Sequence, residues 1–251
     1  MSTPPSAPRE QAGARVVLVT GAGRRVGAAI ATDLGAHGWT VAVHHHASAA
    51  GAAETVRHIE AAGGSAAPFA ADLSVPEACD ALPAAVVARF GRLDAVVHAA
   101  ASLQRTPLGA TSPATVDAIL ALNLRAPFLL AQASAAHLVE GGAIVCIGDH
   151  LADEATPGFA VHAAAKAGVH ALVRQLAGAL APRIRVNAVA PGVVLLPDDA
   201  PAGLGDRLAA EAVLGRIGTP ADVTGAVRYL LDAPFVTGQV LRVDGGRGLR
   251  A

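Results

Sequence analysis

Thr20-Gly21-Ala22-Gly23-Arg24-Arg25-Val26-Gly27 follows the apolar run Arg15-Val16-Val17-Leu18-Val19 and opens the Ala-rich segment from Val26 to His37. β-Branched residues, then glycines, then a helical pattern are how a chain turns from a buried parallel strand into a helix whose first N–H groups are free for phosphate. Glycine is needed where a side chain would hold the backbone away from a pyrophosphate. The same residues also suit a plain strand-to-helix turn, so the remaining pattern has to decide.

That pattern alternates. Thr40-Val41-Ala42-Val43-His44 reads as a second strand, Ala66 to Ala70 as a weak third ending at Asp72-Leu73, and Leu93 to His98 as a fourth. Gly141-Gly142 breaks the chain before a fifth strand, Ala143 to Ile147; a sixth, Arg185 to Ala190, closes at Pro191-Gly192, and Gly238 to Val243 supplies the last. Helices are predicted over Gly51 to Ala62, Pro76 to Phe90, from near Ser112-Pro113, over Asn123 to Val139, from near Phe159 to Leu180, and from Thr219-Pro220-Ala221-Asp222. Ser74-Val75-Pro76-Glu77 combines a capping box with proline in the first turn. Leu195 to Gly205, rich in Pro, Gly and Asp and without a period, reads as a lid beyond a strand's carboxyl end. Strands alternating with helices, with no linker or repeat, imply an α/β fold: a doubly wound, Rossmann-like parallel sheet in one domain over residues 15–251, with 1–14 as a loose tail.

Composition narrows the function. With 53% hydrophobic and 16% charged residues the chain is a globular protein, and a net charge of -1 with 3% aromatics gives no field or stacking surface for nucleic acid. No uninterrupted apolar run approaches the roughly 20 residues of a membrane span. Cys79 and Cys146 form no C-x-x-C pair and read as buried thiols in a reducing, cytosolic setting. His44, His45 and His46 are adjacent, so in extended chain they point to opposite faces and make no metal site.

In a doubly wound sheet the ligand lies beyond the carboxyl ends of the strands. Gly21 to Gly27, His44 to Ser48, Asp72, His98 to Ser102, Gly148-Asp149 and Pro191-Gly192 therefore converge on one crevice. An NAD site places an acid after the second strand, where it would repel a 2′-phosphate. Here that place holds three histidines, while Arg25 offers a planar fork suited to phosphate, so NADPH is the expected cofactor. Arg24 reads either as a second phosphate contact or as a surface cation.

On these residues the chain resembles the short-chain dehydrogenase/reductase family from Arg15 onward: the Gly21 to Gly27 turn, Asp72-Leu73, Asn123, Lys166 and Pro191-Gly192 match its signature. Gly-x-Gly-Arg-Arg-Val-Gly, the His44-x-His46-x-Ser48 exit, Asp149 where most members have Ser, and Asp244-Gly245-Gly246-Arg247 further resemble the pteridine reductase and dihydromonapterin reductase branch. The resemblance implies cofactor contacts from Gly21, Gly23, Arg24, Arg25, Val26, Gly27, His44, His46, Ser48, Asp72, Leu73, Ala99, Ala100, Lys166, Pro191 and Gly192. It also implies a homotetramer, with Arg250 reaching a neighbouring subunit's site, and substrate contacts at Ser102 and Leu103. There are departures. His98-Ala99-Ala100-Ala101 replaces Asn-Asn-Ala-Gly, Leu103 stands where the eukaryotic branch has an aromatic, and His162 replaces the Tyr of Tyr-x-x-x-Lys.

His162 and Lys166, four apart, share a helix face. Reducing a pterin C=N bond requires a proton for nitrogen as hydride reaches carbon, and a carboxyl that keeps its proton through desolvation suits Asp149 to that task. Asp149 could instead cap its loop or pair with His150. Asn123 reads as a helix kink near the site or as a cap. The catalytic set expected is Asp149, His162, Lys166 and Asn123, in an NADPH-dependent reductase of dihydropterins. The alternatives are a carbonyl or 3-oxoacyl reductase, and a non-catalytic NADPH-binding sensor in which the missing tyrosine has ended turnover.

Overall fold

Strand β1 (Val16–Thr20) has every residue buried, which is what a central parallel strand covered on both faces requires and why its sequence is an unbroken apolar run. A computed structural model describes residues 13–249. The tail expected over 1–14 therefore lies outside the described residues except for Gly13 and Ala14, and Arg250 lies outside them too. From β1 the chain runs through α1 (Arg25–Ala36), β2 (Thr40–His45), α2 (Ala49–Ala61), β3 (Ser65–Ala70), α3 (Pro76–Phe90) and β4 (Leu93–His98). It continues through α4 (Pro113–Leu120), a π-turn (Ala121–Arg125), α5 (Ala126–Ala135), β5 (Leu138–Ile147), α6 (Ala160–Leu180), β6 (Ile184–Pro191), α7 (Leu204–Glu211), α8 (Pro220–Asp232) and β7 (Val240–Val243).

The strands form one seven-stranded sheet in the order β3-β2-β1-β4-β5-β6-β7, with every pair parallel. The doubly wound fold expected from the sequence is the fold found. Leu82 and Val86 of α3, Leu130 of α5 and Val173 of α6 pack one face; Ile30 and Leu34 of α1, Ile59 of α2 and Val227 of α8 pack the other. The direction of winding reverses between β1 and β4, which opens the crevice at their carboxyl ends.

Local differences from the sequence reading have local causes. Ser74 does not cap α3, because its N–H and hydroxyl both go to Asp72 Oδ1, at 2.9 and 2.7 Å; Val75 takes the cap position and Pro76 still starts the helix. The helix expected to reach Val139 stops at Ala135, and β5 begins at Leu138, paired with Leu93. Gly141, at φ 76°, lets the strand absorb an irregularity before Ala143 pairs with Ala95. The two helices expected around Asn123 are one helical run of 23 residues, Pro113–Ala135, long and apolar enough by length and composition to cross a membrane. In the fold it lies against the sheet, with Ile119, Ala126 and Leu130 buried. Pro127, four residues after Asn123, has no N–H for the Asn123 carbonyl, and here the run opens into its π-turn. Both cysteines are buried and free.

The turns at the crevice are packed to contact. A Cβ on Gly21 would come within 2.8 Å of Ala100 Cα, and one on Gly27 within 2.2 Å of the Gly21 carbonyl. Thr20 Oγ1 accepts the N–H groups of both Ala99 and Ala100 at 3.0 Å, fixing the exit of β4 to the exit of β1. His44 is corrected from a nucleotide contact to part of this frame. Its Nδ1 accepts the Gly21 N–H at 3.1 Å, so the neutral ring carries its hydrogen on Nε2, which meets the Ala71 carbonyl at 3.1 Å. Its place within β2, buried on both faces there, leaves this side chain 1% exposed.

Burial lowers the His44 pKa to about 4, against the opposing pull of the Ala71 carbonyl, and burial with the nearby Lys166 charge lowers that of His98 to about 3. Both rings stay neutral in the fold, so below about pH 6.5 the unfolded chain takes up protons the folded chain refuses. Stability is therefore full above that pH and falls as acid is added, by up to about 1.4 kcal/mol per pH unit for each ring. Thermal melts from pH 7 to pH 4 should follow this loss, and His44→Gln, which keeps a donor and an acceptor, should flatten it.

Candidate active site

The β1–α1 turn ends in Arg24, extended at φ -165°, and Arg25, at φ 53°. The latter is left-handed backbone that glycine adopts freely and a non-glycine residue at a cost of about 1 kcal/mol. Helix α1 has no side-chain cap and no acid in its first turn, so its leading N–H groups have no intrahelical partner. Gly23 lies against Ser48, since a Cβ there would sit 2.8 Å from the Ser48 carbonyl. That contact brings the β1–α1 and β2–α2 turns together.

Arg25 does not turn toward β2, where a 2′-phosphate contact would place it. Its Nη2 and Nη1 donate to the Leu195 and Leu196 carbonyls, at 3.2 and 3.4 Å, and so hold the start of the segment expected as a lid over Leu195 to Gly205, whose last two residues instead begin α7. Arg24, exposed, follows Gly23 and its contact with the Ser48 turn. His46 is exposed, its Nε2 3.8 Å from Asp72 Oδ2; the Asp72 carboxyl is held below its usual range by its hydrogen bonds from Ser74. The Leu73 side chain is spent in the core at 2% exposure, which leaves only its backbone to meet a ligand. Gly192 is tied to β7 through its N–H to Val243 O at 2.9 Å.

Deeper in the crevice, Asn123, 1% exposed, is locked on both sides of its amide. Ser102 N–H donates to its Oδ1 at 2.9 Å, and its Nδ2 donates to Ser102 O at 2.8 Å. The same Nδ2 lies 3.2 Å from His162 Nδ1, which is also 3.1 Å from Ser102 O. His162 Nε2 faces Asp149 Oδ2 at 3.1 Å. Each form of the ring therefore has a partner in place. With a bare Nδ1 it accepts from Asn123, and with a protonated Nδ1 it donates to Ser102 O. His162 is only 2% exposed, whereas 23% of the Asp149 side chain is open, so the carboxylate stands in front of the imidazole.

Asp149 is the main correction to the site chemistry. Burial pushes its pKa up, as expected from the sequence, but hydrogen bonds from His150, His162 and the Leu151 N–H outweigh burial and hold it well below the usual carboxylate range. It caps its turn, pairs with His150 and meets His162 at once, and it does so as an anion. Lys166, buried, donates to Ile147 O at 2.7 Å; desolvation lowers its pKa against the pull of Asp149.

A family model described as Enoyl-(Acyl carrier protein) reductase matches residues 21–247. An uncharacterised oxidoreductase of Methylorubrum extorquens is 38% identical over 92% of this chain and 97% of its own length. This chain belongs to the short-chain dehydrogenase/reductase family, whose members are NAD(P)-dependent oxidoreductases. Among solved structures it is similar to a blue fluorescent protein from a metagenomic library in complex with NADPH, with a TM-score of 0.88, 32% identity and coverage of 94% of this chain and 98% of that one. It is also similar to the landomycin C-6 ketoreductase LanV with bound NADP and rabelomycin, with a TM-score of 0.85, 31% identity and coverage of 94% and 97%.

The fold of this short-chain dehydrogenase/reductase brings together the four residues expected from the sequence as one set, Asn123, Asp149, His162 and Lys166. Thr20, which pins the β4 exit, and His150, whose Nδ1 is 3.0 Å from Asp149 Oδ1, escaped assignment from sequence. The acid–base dipeptide Asp149-His150 just after a strand was the signal available for the latter. Leu103, next to Ser102, is 62% exposed, and Arg250 lies outside the described residues. Asn123→Ala should leave the Ser102 N–H unpaired, take one of two partners from its C=O and cost about 1–3 kcal/mol in urea unfolding. Faster hydrogen exchange at Ser102 in the folded protein should accompany that loss.

Proposed function

We propose that the chain is an NADPH-dependent reductase that adds hydride across a ring C=N bond, its substrate a dihydropterin of the dihydromonapterin, dihydrobiopterin or dihydrofolate kind. The observation that carries this reading is the anionic Asp149 carboxylate at the mouth of the site, backed by His162. An anion there would repel the oxyanion that forms in carbonyl reduction, which calls for neutral or positive donors. A nitrogen heterocycle instead offers N–H groups that a carboxylate accepts.

The cofactor reading is supported by the uncapped, acid-free start of α1 and by the NADPH and NADP held by the solved neighbours. The residues that would hold it are Gly21 to Gly27 at the pyrophosphate, Arg24, His46 and Ser48 at the 2′-phosphate, Asp72 near the adenine, the Ala99-Ala100 backbone, Lys166 at the ribose, and Pro191-Gly192. When bound, NADPH supplies hydride from its nicotinamide ring. The chain's own residues supply the proton. A proton held between His162 Nε2 and Asp149 Oδ2 can pass to the substrate nitrogen through the carboxylate, while Ser102 O and Asn123 keep the ring in place. Lys166 raises the positive potential beside this couple, and Leu103 gives the planar substrate an apolar wall.

A second reading, reduction of a ketone, is favoured by the ketoreductase among the neighbours. We further take the enzyme to be a cytosolic homotetramer. An open groove of about 680 Å³ on the outer face of α4, α5 and α6, lined by Leu120, Leu124, Phe128 and Leu172, supports self-association.

The test is to follow NADPH absorbance with purified protein offered dihydrobiopterin, dihydrofolate and a simple ketone. Oxidation with a pterin is expected. Turnover of the ketone alone, or binding without any oxidation, overturns the reading in favour of a carbonyl reductase or a sensor. Asp149→Ala should cut pterin reduction by about 100-fold or more while NADPH affinity stays within about twofold. Arg24→Ala should raise the KM for NADPH far more than that for NADH, and Arg25→Ala, already engaged with the 195–203 loop, should separate the two cofactors less.

A further inference from the structure

We infer that His150 is a positioning residue for the Asp149–His162 couple: it fixes the plane of the carboxylate so that the oxygen it does not hold faces His162, and it helps to keep that carboxylate anionic. The inference rests on the reading of this couple as the proton holder, but its structural half stands without any substrate.

Asp149 Oδ1 receives His150 Nδ1 at 3.0 Å and the Leu151 N–H at 2.9 Å. With Oδ1 taken twice, Oδ2 is the oxygen left for His162 Nε2 at 3.1 Å. The Leu151 N–H alone does not fix this orientation, because one bond leaves the carboxylate plane free to turn about it. His150 does, because the same Nδ1 is also 3.1 Å from the Pro191 carbonyl. Both of its neighbours only accept, so Nδ1 carries a hydrogen shared between the turn after β5 and the end of β6. The ring thus ties the carboxylate to a second strand of the sheet.

The other nitrogen explains the charge. His150 Nε2 points toward Glu154 Oε2 at 3.9 Å, so a proton there faces a second carboxylate. The charged groups around the ring are Asp149 beside it, Glu154 at the end of its own turn and Arg247 from the C-terminal turn. Arg247 opposes a cation, but it is itself paired with Glu154 at 3.0 Å and with Glu211 of α7. Lys166 and His162, on α6, face Asp149 rather than His150. Burial lowers the His150 pKa, yet the bond to Asp149 and the two carboxylates raise it above the ordinary value. The His150 hydrogen bond to Oδ1 thus stands with those of His162 and the Leu151 N–H in keeping Asp149 ionised in a buried place.

The test uses the full chain with 15N-labelled histidines, without substrate, followed by NMR across pH. His150→Phe keeps a ring and removes the donor, whereas His150→Asn keeps a donor near the Nδ1 position and removes the charge. Wild-type His150 is expected to hold its second proton above the ordinary value of about 6.5. In His150→Asn the His162 Nε2–H signal should persist, but its acid-side change, where Asp149 takes up a proton, should move up by about one pH unit or more. In His150→Phe that signal should shift or vanish into exchange. If His150→Phe does not fold, His150→Asn carries the test. An identical His162 signal and pH response in wild type and variants overturns the inference, as does a wild-type His150 that titrates at or below the ordinary value. If the signals respond as expected while no dihydropterin is reduced, the substrate reading falls and the positioning role stands.

Discussion

The mouth of the crevice depends on how closely the exits of β1 and β4 approach. Gly21 has no room for a Cβ against Ala100, and one hydroxyl, that of Thr20, accepts two successive N–H groups from the neighbouring exit. These contacts hold the winding reversal open at a fixed width, and the other turns are referenced to it. His44 carries the same frame outward by joining Gly21 to the end of β3. The site residues need little local strain because strands and turns already bring them together.

Much of this frame was legible in the sequence because strands buried on both faces must be apolar runs, and the glycines around residue 21 mark a turn by their lack of side chains. Pro76 marked the start of α3 correctly, although the cap did not, since Asp72 competes for Ser74 and wins by proximity. The boundary of β5 was misplaced because Gly141 reads as a breaker in one dimension, while in the sheet it lets the strand pass an irregularity.

The identity of the site residues was also readable, but not their orientation or charge. His44 faces inward because it lies within β2, which is buried on both faces there, whereas His46 falls beyond the strand's last residue and is exposed. Arg24 and Arg25 are chemically equivalent on the page and are parted only by backbone conformation. The ionisation of Asp149 could not be argued from burial alone, because its outcome is decided by donors from residues 150, 151 and 162 that meet only in the fold.

The clasp made by Arg25 has one more consequence. It grips the segment after β6 by main-chain oxygens, which every residue type supplies equally. The side chains along that segment are thereby left free to vary without loosening its anchor, and the cost of an unfavourable backbone at one arginine secures a tether that does not depend on them.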